Sequence, residues 1–153
     1  MPRFIVGHAA HPDWKGALAA AAAQIDSQPN SQEAALGLVY FTDHYAPHAQ
    51  ALYDALHARW PGVAWAGTVG IGVCASGVEY FDEPALALML AAVPRHDFRV
   101  FSGARPLGDF AAHTAQVHAD PATPDLGELV ADMSDRTASG YLFGGLASGR
   151  GRT

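Results

Sequence analysis

Three short apolar runs, set apart by two segments of helix length, constrain this chain more than any single motif. "RFIVGHA" (3–9), "ALGLVYF" (35–41) and "VAWAG" (63–67) have strand length and are rich in β-branched and aromatic residues. After the first run, Asp13 can cap a helix whose Trp14, Leu18, Ala22 and Ile25 recur at helical spacing, until "SQPNSQ" ends it. After the second, a helix from about Ala46 to Trp60 carries Tyr45, Ala49, Leu52 and Leu56 on one stripe. Pro47 fits its first turn, and Pro61-Gly62 stops it. Strand, helix, strand, helix, strand is the order of parallel βαβ units.

Beyond Gly67 the order changes. "GVEYFDE" and "ALALMLAAV" follow one another with no helix between, and Pro84 and Pro94 bracket the second run. Its Ala, Leu and Met favour helix, yet its length suits a buried strand, so the pattern leaves both open. "DFRVFSG" (97–103) is a further strand candidate, which predicts antiparallel pairing in the middle of the chain. Near the end, "TAQVHAD" (114–120) and "GYLFGGLASG" (140–149) read as strands flanking a helix over 123–135. That helix places Thr123 at its cap, Pro124 at its first position, and Leu126, Leu129, Val130 and Met133 on its buried stripe. The fold class expected is α/β: a mixed sheet with βαβ units at both ends, an antiparallel central segment, and helices packed on the sheet.

At 153 residues the chain suits a single domain over 1–153. Half the residues are hydrophobic and 16% are charged, a globular composition. A formal charge of −6 with scattered cations argues against a nucleic-acid partner. No run reaches the roughly 18 apolar residues of a membrane helix, and "MPRFIVGHAAHPD" lacks a secretory apolar core. One cysteine leaves no intrachain disulfide, so a reducing, cytoplasmic setting is expected.

The densest cluster of special residues is "WAGTVGIGVCASGVEYFDE" (65–83), with four glycines and Cys74. A dinucleotide loop needs its glycines between a strand and a helix, but the strand-like "VEYF" follows here, and no P-loop lysine is present. A ligand pocket and a structural turn remain. Cys74 is expected to be a buried, inert residue, since no base lies near it in sequence. Ser148 in "GGLASGRG" lacks the spacing of a nucleophile elbow. Neither residue is assigned catalysis. Of the eight histidines, His44 and His48 are four apart, but Pro47 intervenes and His44 falls outside the helix. No metal site and no cofactor are expected.

The order of "LGLVYFTDHY", "WPG", "VAWAGTVGIGV", "GVEYFDEPALALML" and "YLFGGLASG" resembles the amino-terminal half of the FIST domain, from about Ala35 to Gly149. The resemblance implies a strand over 85–93 and an intracellular sensory domain binding a small molecule, such as an amino acid or related metabolite, in signal transduction. It supplies no catalytic residues. FIST proteins continue beyond "GGLAS", so the chain is expected to be a fragment or a short variant. A homodimer, or the missing carboxy-terminal half, would then complete its core. A protein-interaction module with an exposed apolar surface is the alternative, and a Cys or Ser hydrolase a lesser one. The ligand is expected where the third strand gives way to antiparallel pairing, because α/β sheets bind ligands at the carboxyl ends of strands. The expected residues are Thr68, Val69, Gly70, Ile71 and Gly72, with Gly144, Gly145 and Ser148 from the second glycine segment.

Overall fold

The computed structural model describes residues 4–29 and 33–150. A four-stranded mixed sheet forms the centre, in the order β1 (Phe4–Ala10), β6 (Ala85–Ala91), β2 (Leu36–Thr42), β3 (Ala64–Gly70). The α/β architecture expected from the sequence is present. β2 and β3 pair in parallel through α2 (Ala49–Arg59), a βαβ unit as read. β1 and β2 do not touch: β6 lies between them, antiparallel to both. The run "ALALMLA" is therefore a strand, and burial on both of its faces explains why its sequence shows no alternation.

One face of this sheet packs on α1 (Trp14–Asp26) and α2. Asp13 caps α1 by accepting the Lys15 N–H, and Trp14, Leu18, Ala22 and Ile25 are all buried, as their spacing predicts. Ala17 and Ala21, with no accessible surface, also lie in the core cluster with Leu86, Leu88 and Leu90. A 3-10 turn over Asp43–His48, containing Pro47, precedes α2, which begins three residues later than expected. Tyr45 is buried there, and its hydroxyl donates to the His11 carbonyl at 2.5 Å. Leu52 and Leu56 are almost wholly buried.

The opposite face carries two smaller units. β4 (Gly72–Ala75) and β5 (Val78–Phe81) form an antiparallel hairpin whose Tyr80 hydroxyl meets His8 Nδ1 of β1 at 2.7 Å. β7 (Ala115–Ala119), α3 (Leu126–Asp135) and β8 (Leu142–Leu146) form the second βαβ unit, with β7 and β8 parallel. The expected strand at 97–103 is absent. Those residues are largely exposed, and their one pairing is an isolated bridge from Ser102 to Arg105. Phe98, Val100 and Phe101 alone do not hold a strand that has no sheet to join.

α3 corrects two further expectations. It starts at Leu126, with Asp125 at its cap in a left-handed conformation (φ 51°), rather than at Thr123 and Pro124. Its apolar stripe is also not buried. Leu126 and Met133 are half-buried, while Leu129 and Val130 are each 40% exposed.

The two βαβ units share one device. Val39 pairs with Gly67 in the first, and Val117 with Gly144 in the second. A Cβ on either glycine would lie 1.7 or 1.9 Å from the opposing valine carbonyl oxygen. Only glycine permits that approach.

Candidate functional site

Because β2 and β3 are parallel, their carboxyl ends lie side by side at Thr42 and Gly70. Thr42 is fully buried. Its hydroxyl donates to the Glu83 carbonyl at 2.8 Å and accepts the Ala85 N–H at 3.0 Å, which ties the end of β2 to the start of β6. The chain after β8 returns to this same end. The Ser148 N–H donates to the Val69 carbonyl at 3.1 Å, and Ser148 Oγ accepts the Ile71 N–H at 3.2 Å.

Next to Thr42, the Asp43 carboxylate is 1% exposed. Arg150 donates to it three times: its backbone N–H and Nε to Oδ2 at 2.9 and 3.0 Å, and a terminal nitrogen to Oδ1 at 3.0 Å. A second arm of the same guanidinium bonds Asp82. The hydrogen bonds to Asp43 first, and to Asp82 second, raise the pKa of Arg150. Arg150 is thus a clamp for the final described residues.

Between β3, the β4–β5 hairpin and this returning segment opens a cleft of about 330 Å³. Thr68, Val69, Gly70, Gly72 and Ser148, all expected at a ligand site, line it together. Ile71 turns its side chain to solvent and contributes its N–H to Ser148. Gly144 and Gly145 do not line the cleft; they sit within β8, opposite Val117 and His118. The glycine stretch is also less of a loop than expected. Gly67 and Gly70 belong to β3 and Gly72 to β4, and Ile71 alone separates the two strands.

Sequence reasoning missed Tyr40, Val73, Cys74 and Leu146, which complete the lining. Tyr40 is the informative one. Val39 and Phe41 point into the helix-covered core, so the twofold period of β2 sends Tyr40 to the other face. Its hydroxyl accepts from Gln116 Nε2 at 2.8 Å and meets His118 Nε2 at 3.1 Å, both from β7. Burial raises the Tyr40 pKa, with the Gln116 hydrogen bond opposing, so the phenol keeps its proton. Burial likewise draws His118 below the ordinary imidazole value, an effect the Gly145 backbone opposes. Its Nδ1 is buried with no hydrogen-bond partner of normal geometry among the described residues.

Cys74 overturns its expected burial. It is exposed, on the outward side of β4, and its sulfur lies 3.9 Å from Glu79 Oε1 on the paired strand. Strand alternation accounts for this, since Val73 takes the inward position.

A larger cleft of about 510 Å³ lies at the other end of the parallel pair, beside Asp26, Arg59 and Trp60. It opens at the amino ends of β2 and β3. Ligands of open α/β sheets gather at carboxyl ends, which favours the smaller cleft. No helix among the described residues is long and apolar enough to cross a membrane.

No curated protein and no solved structure gives a significant match to this chain. The FIST N domain family matches residues 35–153, which span β2 through β8 and every residue that lines the cleft. The chain belongs to the FIST N domain family, a family of signal-transduction sensory domains.

Proposed function

We propose that this is a cytoplasmic sensory domain that binds a small metabolite, in the range of amino acids and their derivatives, without transforming it. The observation that carries the reading is the cleft at the carboxyl ends of β2 and β3. There Tyr40, Thr68 and Ser148 present polar atoms between apolar walls, as ligand sites do. The returning segment supports a signalling role, because its Ser148 lines the cleft and the segment is held by bonds that a ligand could strengthen or compete with. Binding without catalysis agrees with the surroundings of the two nucleophile candidates. Ser148 Oγ is occupied by a backbone N–H, and the hydrogen-bond partner of Cys74 is a carboxylate.

Thermal-shift screening of amino acids, amides and small metabolites tests the reading, since a ligand that favours the native state raises the melting temperature. A hit whose effect is lost in Ser148→Tyr, which fills the cleft, supports it. A hit that survives this substitution places the ligand elsewhere and overturns it.

A second reading has its own observation. Tyr141 just before β8, Phe143 and Leu146 on β8, and Leu129 and Val130 on α3 are all exposed. An apolar surface of this kind suits a protein partner. A module that docks a partner through the β7–α3–β8 unit is compatible with ligand binding in the cleft.

A further inference from the structure

The cleft also restricts the chemistry of what it can hold. Its polar side chains among the described residues are the hydroxyls of Tyr40, Thr68 and Ser148 and the thiol of Cys74, all uncharged groups. Its walls are Val69, Val73 and Leu146, together with the backbone of Gly70 and Gly72. Of the charged groups near this end of the sheet, Arg150 is bonded to both Asp43 and Asp82, and Glu79 stands beside Cys74 as a further negative charge. A carboxylate entering this space would give up water and meet, among the described residues, hydroxyls, a thiol and the like charge of Glu79, with no cation among the lining side chains. Removing an ion from water without a counter-charge is strongly unfavourable.

The Tyr40 oxygen supplies the positive half of the argument. A phenol offers one donor and two acceptor positions. Gln116 Nε2 occupies one acceptor position. His118 Nε2 occupies either the donor or the other acceptor position, according to which imidazole nitrogen carries the proton. One position on the oxygen is left over in either case, on a residue that lines the cleft. Two side chains from β7 thus orient a hydroxyl on β2 and leave it one bond to make.

We propose that the cleft selects an uncharged, hydrogen-bonding molecule, such as a primary amide, lactam or alcohol, with Tyr40 as its recognition residue and Gln116 and His118 as positioning residues. The inference rests on the sensory reading above and narrows its ligand class: amides and other neutral derivatives over free amino acids.

Matched pairs of small carboxylic acids and their primary amides test it, at neutral pH, by NMR perturbation of the backbone amides of Gly70, Gly72 and Ser148. Isobutyrate with isobutyramide, and N-acetylproline with N-acetylprolinamide, are suitable probes. The amide of each pair is expected to bind at the cleft at least about fivefold more tightly than its acid, one hydrogen bond or more in affinity. Tyr40→Phe is expected to remove most of that preference. Thr68→Val changes a second lining hydroxyl without altering shape, and keeps the test open if the tyrosine variant is poorly folded. An acid that binds as tightly as its amide, or amide binding unaffected by both substitutions, overturns the neutral-ligand inference while leaving a cleft that binds ligands. If no probe perturbs the cleft, the inference and the sensory reading fail together.

Discussion

Asp43 and Arg150 stand 107 residues apart in sequence and are joined by three hydrogen bonds in space. An acid directly after a strand is unremarkable in a sequence, and an arginine among terminal glycines equally so; their pairing is a product of the fold alone. Because Asp43 is buried, its charge depends on these partners. Asp43→Ala should cost about 1.5–3 kcal/mol, the range for hydrogen bonds to a charged group. The larger penalty of a wholly buried pair is not expected, since the Arg150 side chain is 43% exposed and can rehydrate. Chemical denaturation measures the loss, and proteolysis near residues 147–150 should quicken in the same variant. A loss below about 0.5 kcal/mol would show that the clamp is ornamental. His118 makes a pH-dependent contribution of known sign. Its folded pKa lies below the unfolded value of 6.5. Between those two values the unfolded chain binds a proton that the folded chain resists, so stability falls as pH drops from 7 through that window. His118→Gln should flatten this part of the curve, measured as denaturation midpoints at neutral pH and at about pH 5.5. An unchanged slope would mean that His118 does not sense its burial.

At the level of helices and strands, legibility followed burial. The buried stripes of α1 and α2 were readable, though not the first turn of α2, because one face of each is sealed against the sheet, and a sealed face needs apolar residues at fixed spacing. β6 was not readable from pattern, because a strand covered on both faces carries no alternation to detect. α3 shows the reverse failure: it has the spacing of a sealed helix and no sealed face. The two helices therefore predict opposite mutational behaviour. Leu56→Ala should cost about 2–5 kcal/mol, as a fully buried leucine does. Leu129→Ala should cost under about 0.5 kcal/mol in the isolated chain, because its side chain is already substantially in water. Equal losses would contradict the arrangement of α3. The cleft was half legible. Thr68, Val69, Gly70 and Gly72 followed from the rule about carboxyl ends and Ser148 from the second glycine segment, while strand alternation in β2 is what turns Tyr40 toward the cleft. Gln116 and His118 could not be reached, because nothing in β7 says which strand it will face.

For the whole molecule, the uneven burial of its two βαβ units is the main fact. The first is built into the central sheet, whereas the second is a two-stranded parallel pair with exposed apolar residues on both β8 and α3. Parallel strands are ordinarily covered on both sides. A symmetric homodimer that covers this unit is the arrangement we expect, burying about 1,200 Å² or more. Light scattering at micromolar concentration should report twice the chain mass, and Phe143→Lys should return it to the monomer mass. A monomer under both conditions would leave this surface for a different partner or for none. The two glycines opposite Val39 and Val117 bear on all of this. A strand slipped by two residues keeps its faces, but it would bring Trp65 or Val69 to the Val39 carbonyl, and Leu142 or Leu146 to that of Val117. Neither oxygen has room even for a methyl group. Each absent side chain is therefore an index mark that admits one alignment of its strand pair. Tyr40 and His118 each come one residue after the marked valine, so the two missing methyl groups also fix Thr68 beside the phenol's strand position and Gly145 beside the imidazole's.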